Sequence, residues 1–169
     1  GDRSDRGALS AVHLTCAVHP EHSRGACLDP SGGGWYPPLM HAPTSFRYQL
    51  QGPIGLITFT RPETLNSLTF DVYRELTQLF ADLEKETAVK AVVITGEGKG
   101  FCSGGDVHTI IGELFAREMP GLVDFARLTC DLIRNMRALR KPIIAALNGT
   151  AAGAGSVIAL AADLRVASE

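Results

Sequence analysis

Ala91-Val92-Val93-Ile94-Thr95, followed by Gly96-Glu97-Gly98-Lys99-Gly100-Phe101-Cys102-Ser103-Gly104-Gly105-Asp106, decides the fold of this chain. The first five residues are a run of strand character. A loop carrying Gly96, Gly98, Gly100, Gly104 and Gly105 comes next, and the amphipathic run Val107-His108-Thr109-Ile110-Ile111 closes the stretch. Strand, open loop, helix is the reading. Glycines let a main chain approach a ligand closely with its N–H groups aimed outward, so the chemistry here belongs to the backbone more than to any side chain.

Working outward, a second stretch repeats the pattern. Ile143–Leu147 reads as a buried strand, and Asn148-Gly149-Thr150-Ala151-Ala152-Gly153-Ala154-Gly155-Ser156 comes after it. Val157–Ala162 is then a small, apolar helix and Leu164–Ala167 the next strand. Between the two loops the spacing predicts a short helix from Val107 to about Phe115, ended before Pro120. A longer helix over 121–140 has Phe125, Leu128, Leu132, Met136 and Leu139 on one face. Upstream, Phe46–Gln51 and Ile54–Thr60 flank Gly52-Pro53 as a hairpin. Thr69 caps a helix whose apolar face is Phe70, Tyr73, Leu76, Phe80 and Leu83. Alternating strands and helices with small-residue turns give the α/β class.

Composition bounds the rest. The chain has 169 residues, enough for one domain with a sizeable core. At 45% hydrophobic and 20% charged it matches an ordinary globular protein. A net charge of -2 gives no electrostatic reason to expect nucleic acid or an acidic membrane as a partner. No apolar run approaches the roughly 18 residues of a membrane span. Leu9–Val18 has a signal-like tint that His13 interrupts, and it reads as no signal peptide. Cys102 and Cys130 suit reduced thiols, so a cytoplasmic location is expected.

Residues 1–44 differ from the remainder of the chain. They hold four of the five histidines and five of the nine prolines, without periodicity, and read as an extension outside the fold. His13, Cys16, His19 and His22, followed by Cys27, are zinc-ligand types, the first four at three-residue spacing that suits one helical face. No paired C-x-x-C frames them, so no metal site is expected. Residues 45–169 form the domain. The start at Gly1 and the end at Glu169, directly after a strand, read as cut ends.

Two glycine- and alanine-rich loops, Cys102–Asp106 and Gly149–Gly155, thus each follow a strand and lead into a helix. Side by side they would offer two backbone N–H groups to one carbonyl oxygen, with a helix beginning near Ala154 adding its positive end. That is the requirement of an oxyanion hole. Neither loop is a phosphate-binding P-loop or a dinucleotide fingerprint.

Together these residues resemble the crotonase (enoyl-CoA hydratase/isomerase) superfamily. The resemblance covers about 45–169 and rests on Arg61-Pro62-Glu63-Thr64-Leu65-Asn66-Ser67-Leu68, Phe101–Asp106, Lys141–Gly149 with Ala152-Gly153-Ala154-Gly155, and the run starting at Asp163. It implies a spiral of ββα units, truncated here before the C-terminal helices. It also implies an acyl-CoA thioester substrate with no separate cofactor, and a homotrimer or hexamer. Residue by residue, it implies that the N–H groups of Gly105 and Ala154 polarise the thioester carbonyl. Thr64, Asn66, Ser103, Gly105, Asp106, Val107, Gly153 and Ala154 would hold the CoA ester.

One position departs from the pattern. Hydratases of this family carry a glutamate where this chain has Val157, and the second glutamate would lie beyond residue 169, so neither carboxylate of the usual acid/base pair is present. Within reach, His108, Glu113 and Glu118 read as surface groups, Cys102 as a packed thiol, and Asp106 as a helix-start cap. An acyl-CoA hydratase/isomerase-class enzyme is one reading. A non-catalytic acyl-CoA-binding or assembly subunit, or an inactive truncated product, is the alternative. Apolar surface on Val157–Val166 is expected to lie uncovered and to make the isolated chain prone to aggregation.

Overall fold

The computed structural model describes residues 27–28, 35–36 and 43–168. The chain divides into two units, 1–38 and 39–169. In the first, strands β1 (Cys27–Leu28) and β2 (Trp35–Tyr36) pair antiparallel. The histidine and cysteine cluster of residues 13–27 and the Leu9–Val18 run lie outside the described side chains.

The second unit is built on a five-stranded sheet in the order β3-β4-β5-β7-β9. The hairpin β3 (Arg47–Gln51) and β4 (Ile54–Phe59) turns at Gly52, whose φ of 57° is a conformation that suits glycine. From β4 onward the strands run parallel: β5 is Ala91–Gly96, β7 Ile143–Leu147 and β9 Leu164–Ala167. Register explains the sequence. Ile57, Ile94 and Ala145 lie side by side across three strands, and so do Gly55, Val92 and Ile143. Except for Gly55, which adds no side chain, these join one core cluster with Phe59. Asp163 closes the last crossover: its N–H donates to the Ile143 carbonyl and its carboxylate accepts the Ile143 N–H, both at 2.9 Å.

Helix α1 (Phe70–Lys85) starts where the sequence requires, with the Thr69 hydroxyl accepting from the Val72 N–H and Asp71 in the first turn. All five residues expected on its apolar face are buried. After β5 the chain forms a short strand β6 (Gly100–Cys102), a π-helical turn (Val107–Ile111), α2 (Gly112–Ala116) and α3 (Met119–Ala138). Helix α3 begins earlier than the expected 121. Pro120 opens it instead of only separating two helices, because the first turn has no acceptor for a backbone N–H that proline lacks. On α3, Leu132, Met136 and the capping Leu139 are buried, with Phe125 and Leu128 packed against the core.

Two strands escape the sequence reading. Residues 100–102, expected as loop, form β6 and pair in parallel with β8 (Thr150–Ala151), also expected as loop. Strands of three and two residues are too short for a periodic pattern. Helix α4 (Ala154–Ala161) then leads to β9. Val157, Leu160, Leu164 and Val166 are exposed, at 49, 70, 58 and 61%. Among the described residues no helix is long and apolar enough to cross a membrane.

Candidate active site

The site is made of main chain, and side chains buried beneath it set its shape. Leu65 and Asn66 both take left-handed backbone conformations, at φ 50° and 59°. This turns the Asn66 amide inward, where it is 1% exposed. Its oxygen accepts the Arg61 N–H at 2.9 Å, and its nitrogen donates to the carbonyls of Glu97 and Gly100 at 2.9 and 2.7 Å. From the other side, the Asn148 amide donates to the carbonyls of Gly98 and Gly100, and accepts the Gly96 N–H at 3.1 Å. Two asparagine side chains therefore hold the 96–100 turn that feeds β6.

The loop after β6 is tied to the segment before α1. Ser103 donates its N–H to the Leu65 carbonyl and its hydroxyl to the Thr64 carbonyl, both at 2.9 Å. Leu68 then bridges the loop in parallel fashion, donating to the Gly104 carbonyl and accepting the Asp106 N–H, each at 2.8 Å. In such a bridge the middle residue, Gly105, turns its own N–H away from its partner. That N–H makes no hydrogen bond within the described backbone.

Asp106 is the cap beneath this loop. One carboxylate oxygen accepts the N–H groups of His108 and Thr109 at 3.1 Å, and the other accepts from Arg61 at 2.9 Å and Ser67 at 3.1 Å. The Thr109 N–H, opposed by burial and aided by Arg61 and Ser67, brings its carboxyl down to about 2. It is a charged structural anchor, as the sequence suggested, and no base.

The second loop lies against the first. Ala152 donates to the Cys102 carbonyl at 2.9 Å, extending the β6–β8 contact. Gly104, at φ 105°, stands so close to it that a β-carbon there would sit 3.1 Å from the Ala152 carbonyl and 3.3 Å from the Ala154 nitrogen. Gly155 is packed harder still, because a β-carbon would fall 2.1 Å from the Cys102 carbonyl oxygen. In the first turn of α4, Gly155 and Ser156 donate to the Ala152 carbonyl and Val157 to the Gly153 carbonyl. The Ala154 N–H is the one first-turn donor with no acceptor in the described backbone.

Next to Ala154 opens a cavity of about 660 Å³ between α3 and α4, lined among others by Tyr73, Leu132, Ile133, Val157 and Ile158. Val157, where the resemblance expected a carboxylate, is on this wall. The other candidates stay apart from it. His108 and Glu118 are exposed, and Glu113 pairs with Arg117 on the surface at 2.8 Å. Cys102 is fully buried, and burial pushes its thiol up to about 11, so it is a packed side chain and no nucleophile. Val107 is 66% exposed beside the Ser103 segment. Among the described residues no three His, Cys, Asp or Glu side chains converge as metal ligands.

A sheet that runs parallel from β4 onward, with two small-residue loops in backbone contact, is the arrangement of a crotonase-type α/β protein. The enoyl-CoA hydratase/isomerase family model matches residues 49–169, and the chain belongs to that family. It is 40% identical over 124 residues to a probable enoyl-CoA hydratase of Mycobacterium bovis, covering 68% of this chain and 41% of that one. A solved structure from Streptomyces coelicolor A3(2) superposes with a TM-score of 0.74 at 44% identity, over 83% of this chain and 50% of the other. An enoyl-CoA hydratase/isomerase structure from Mycobacterium paratuberculosis gives 0.68 at 29% identity, over 74% and 49%. The chain thus spans half or less of the length of these relatives.

Proposed function

We propose that this chain carries the oxyanion-stabilising part of an acyl-CoA-transforming enzyme of the hydratase/isomerase class. The thioester carbonyl sits between the N–H groups of Gly105 and Ala154, which hold the negative charge of the enolate formed when an α-proton passes to a solvent base. The observation that carries this reading is that these two N–H groups, on adjoining loops, are both left without backbone acceptors. The dipole of α4 adds its positive end at Ala154. Thr64, Asn66, Ser103, Asp106, Val107 and Gly153 complete the CoA-holding surface. Asn66 and Asp106 act by shaping the backbone, since their side chains are already fully engaged. Coenzyme A enters as part of the substrate, in the cytoplasm, and the complete enzyme works as a homotrimer or hexamer.

Replacing Gly105 with Pro removes one oxyanion donor while leaving both Leu68 hydrogen bonds possible. The assay is exchange of the α-protons of butyryl-CoA in heavy water, monitored by NMR. A loss of about 10²-fold or more is expected, and wild-type exchange in the variant refutes the mechanism. Val157 favours a second reading, a non-catalytic acyl-CoA-binding subunit. Tight binding of butyryl-CoA by the wild-type chain without any α-proton exchange would select it.

A further inference from the structure

The wall of the cavity beside Ala154 carries one side-chain polar group, on a residue otherwise in the core, that has no partner among the described residues. The other polar groups on its wall are engaged or exposed: the Thr129 hydroxyl bonds the Ala126 carbonyl at 2.9 Å, Cys130 is at the surface, and Arg134 and Arg137 reach Asp131 and Asp163. Tyr73 differs. It is 5% exposed, and its ring is held edge-to-face by Phe125, with centroids 5.6 Å apart at 89°. Its hydroxyl makes no hydrogen bond to any described residue. No described side-chain oxygen or nitrogen is both sealed from the surface and unpaired. The hydroxyl is therefore open to accessible space, and Tyr73 lines this cavity. It stands 4.0 Å from where a β-carbon on Gly105 would be.

An occupant of this apolar wall displaces water from the hydroxyl, so one that brings an acceptor is favoured over one that does not. We infer that the Tyr73 hydroxyl is a hydrogen-bond donor to the substrate, selecting acyl groups that carry an oxygen on C2 or C3. This rests on the reading that the thioester carbonyl lies on the Gly105 and Ala154 N–H groups. With the carbonyl fixed there, a hydroxyl beside Gly105 reaches substituents one or two carbons along the chain and not its far end. Burial, with the Cys102 thiol beside it, pushes the Tyr73 hydroxyl up to about 12. At neutral pH it keeps its proton and donates; it does not serve as a base. The sequence hid this role, because a tyrosine at a helical core position looks like any other buried aromatic.

The test is calorimetric titration of wild type and Tyr73→Phe with butyryl-CoA, 2-hydroxybutyryl-CoA and 3-hydroxybutyryl-CoA. Phenylalanine keeps the ring and its Phe125 contact, and near-ultraviolet circular dichroism checks that packing. Wild type is expected to bind at least one hydroxy ester about tenfold more tightly than butyryl-CoA. Tyr73→Phe is expected to bring that ratio to about one, chiefly by weakening the hydroxy ester. A merely structural role would not change the ratio. The same preference in both proteins, or no preference in wild type, overturns the inference and leaves acyl-CoA binding standing. If wild type binds none of the three thioesters, the acyl-CoA reading falls and takes this inference with it.

Discussion

Adding one methyl group at Gly155 tests whether the two loops are held at a fixed separation. In Gly155→Ala the new carbon would lie 2.1 Å from the Cys102 carbonyl oxygen and 2.7 Å from its β-carbon. The obstacle on one side is backbone, so no flexible side chain can simply swing away. Reaching even a tight contact requires the start of α4 and strand β6 to part by on the order of 1 Å. Overpacking of this kind costs about 1–3 kcal/mol. For a domain of this size that is a fall of about 2–12 °C in melting temperature. The functional cost is separate. Parting α4 from β6 shifts the Ala154 N–H relative to Gly105, and a misplacement of about 1 Å can cost on the order of 10²-fold in rate. A thermal melt reads the first effect and α-proton exchange of butyryl-CoA in heavy water reads the second. A variant with the wild-type melting temperature and the wild-type exchange rate would refute the claim that this contact sets the donor geometry.

Other perturbations reach different parts of the same site. Asn66→Ala removes three hydrogen bonds and places alanine at a left-handed φ of 59°, so urea denaturation should show a loss of about 3 kcal/mol. Asn66→Gly, which relieves the backbone but not the hydrogen bonds, should lose about 1 kcal/mol less. Because the Asp106 carboxyl is lowered in the folded protein, it contributes stability above its unfolded value near 4 and loses it as pH falls toward about 2. Asp106→Asn should therefore be less stable at neutral pH, and should show a shallower decline of melting temperature between those values; an unchanged decline would count against the anchor. Cys102, buried and with its thiol raised, should resist alkylation by iodoacetamide at pH 7 in the native protein, while the exposed Cys130 reacts.

Much of this architecture is legible in the residues. The Thr69 cap and the spacing of Phe70, Tyr73, Leu76, Phe80 and Leu83 define α1 without help from the rest of the fold. The strands at 91–96 and 143–147 announce themselves as apolar runs, and the two glycine-bearing loops after them stand out in the sequence as the candidate site. The features that stay hidden depend on partners distant in sequence. Strands β6 and β8 exist only as a pair, and neither has enough residues to show a pattern alone. The inward turn of Asn66 comes from a left-handed backbone and a carbonyl 34 positions away, so in the sequence it reads as one more polar residue of a loop. Pro120 signals a boundary correctly, but only the fold decides that it begins a helix. The Tyr73 hydroxyl takes its meaning from the cavity, which no local spacing encodes.

The pairing of β6 with β8 has a consequence for how such a site changes over time. The Ala152 N–H bonded to the Cys102 carbonyl works as a gauge block between the two loops, and it is made of backbone atoms alone. Side chains along the cavity wall, Val157 and Tyr73 among them, take no part in that contact. Under the proposed function, the position of the charge-bearing oxygen and the identity of the groups around it would thereby be inherited separately, so substitutions on the wall would alter which acyl groups are accepted while the two main-chain donors stay in place.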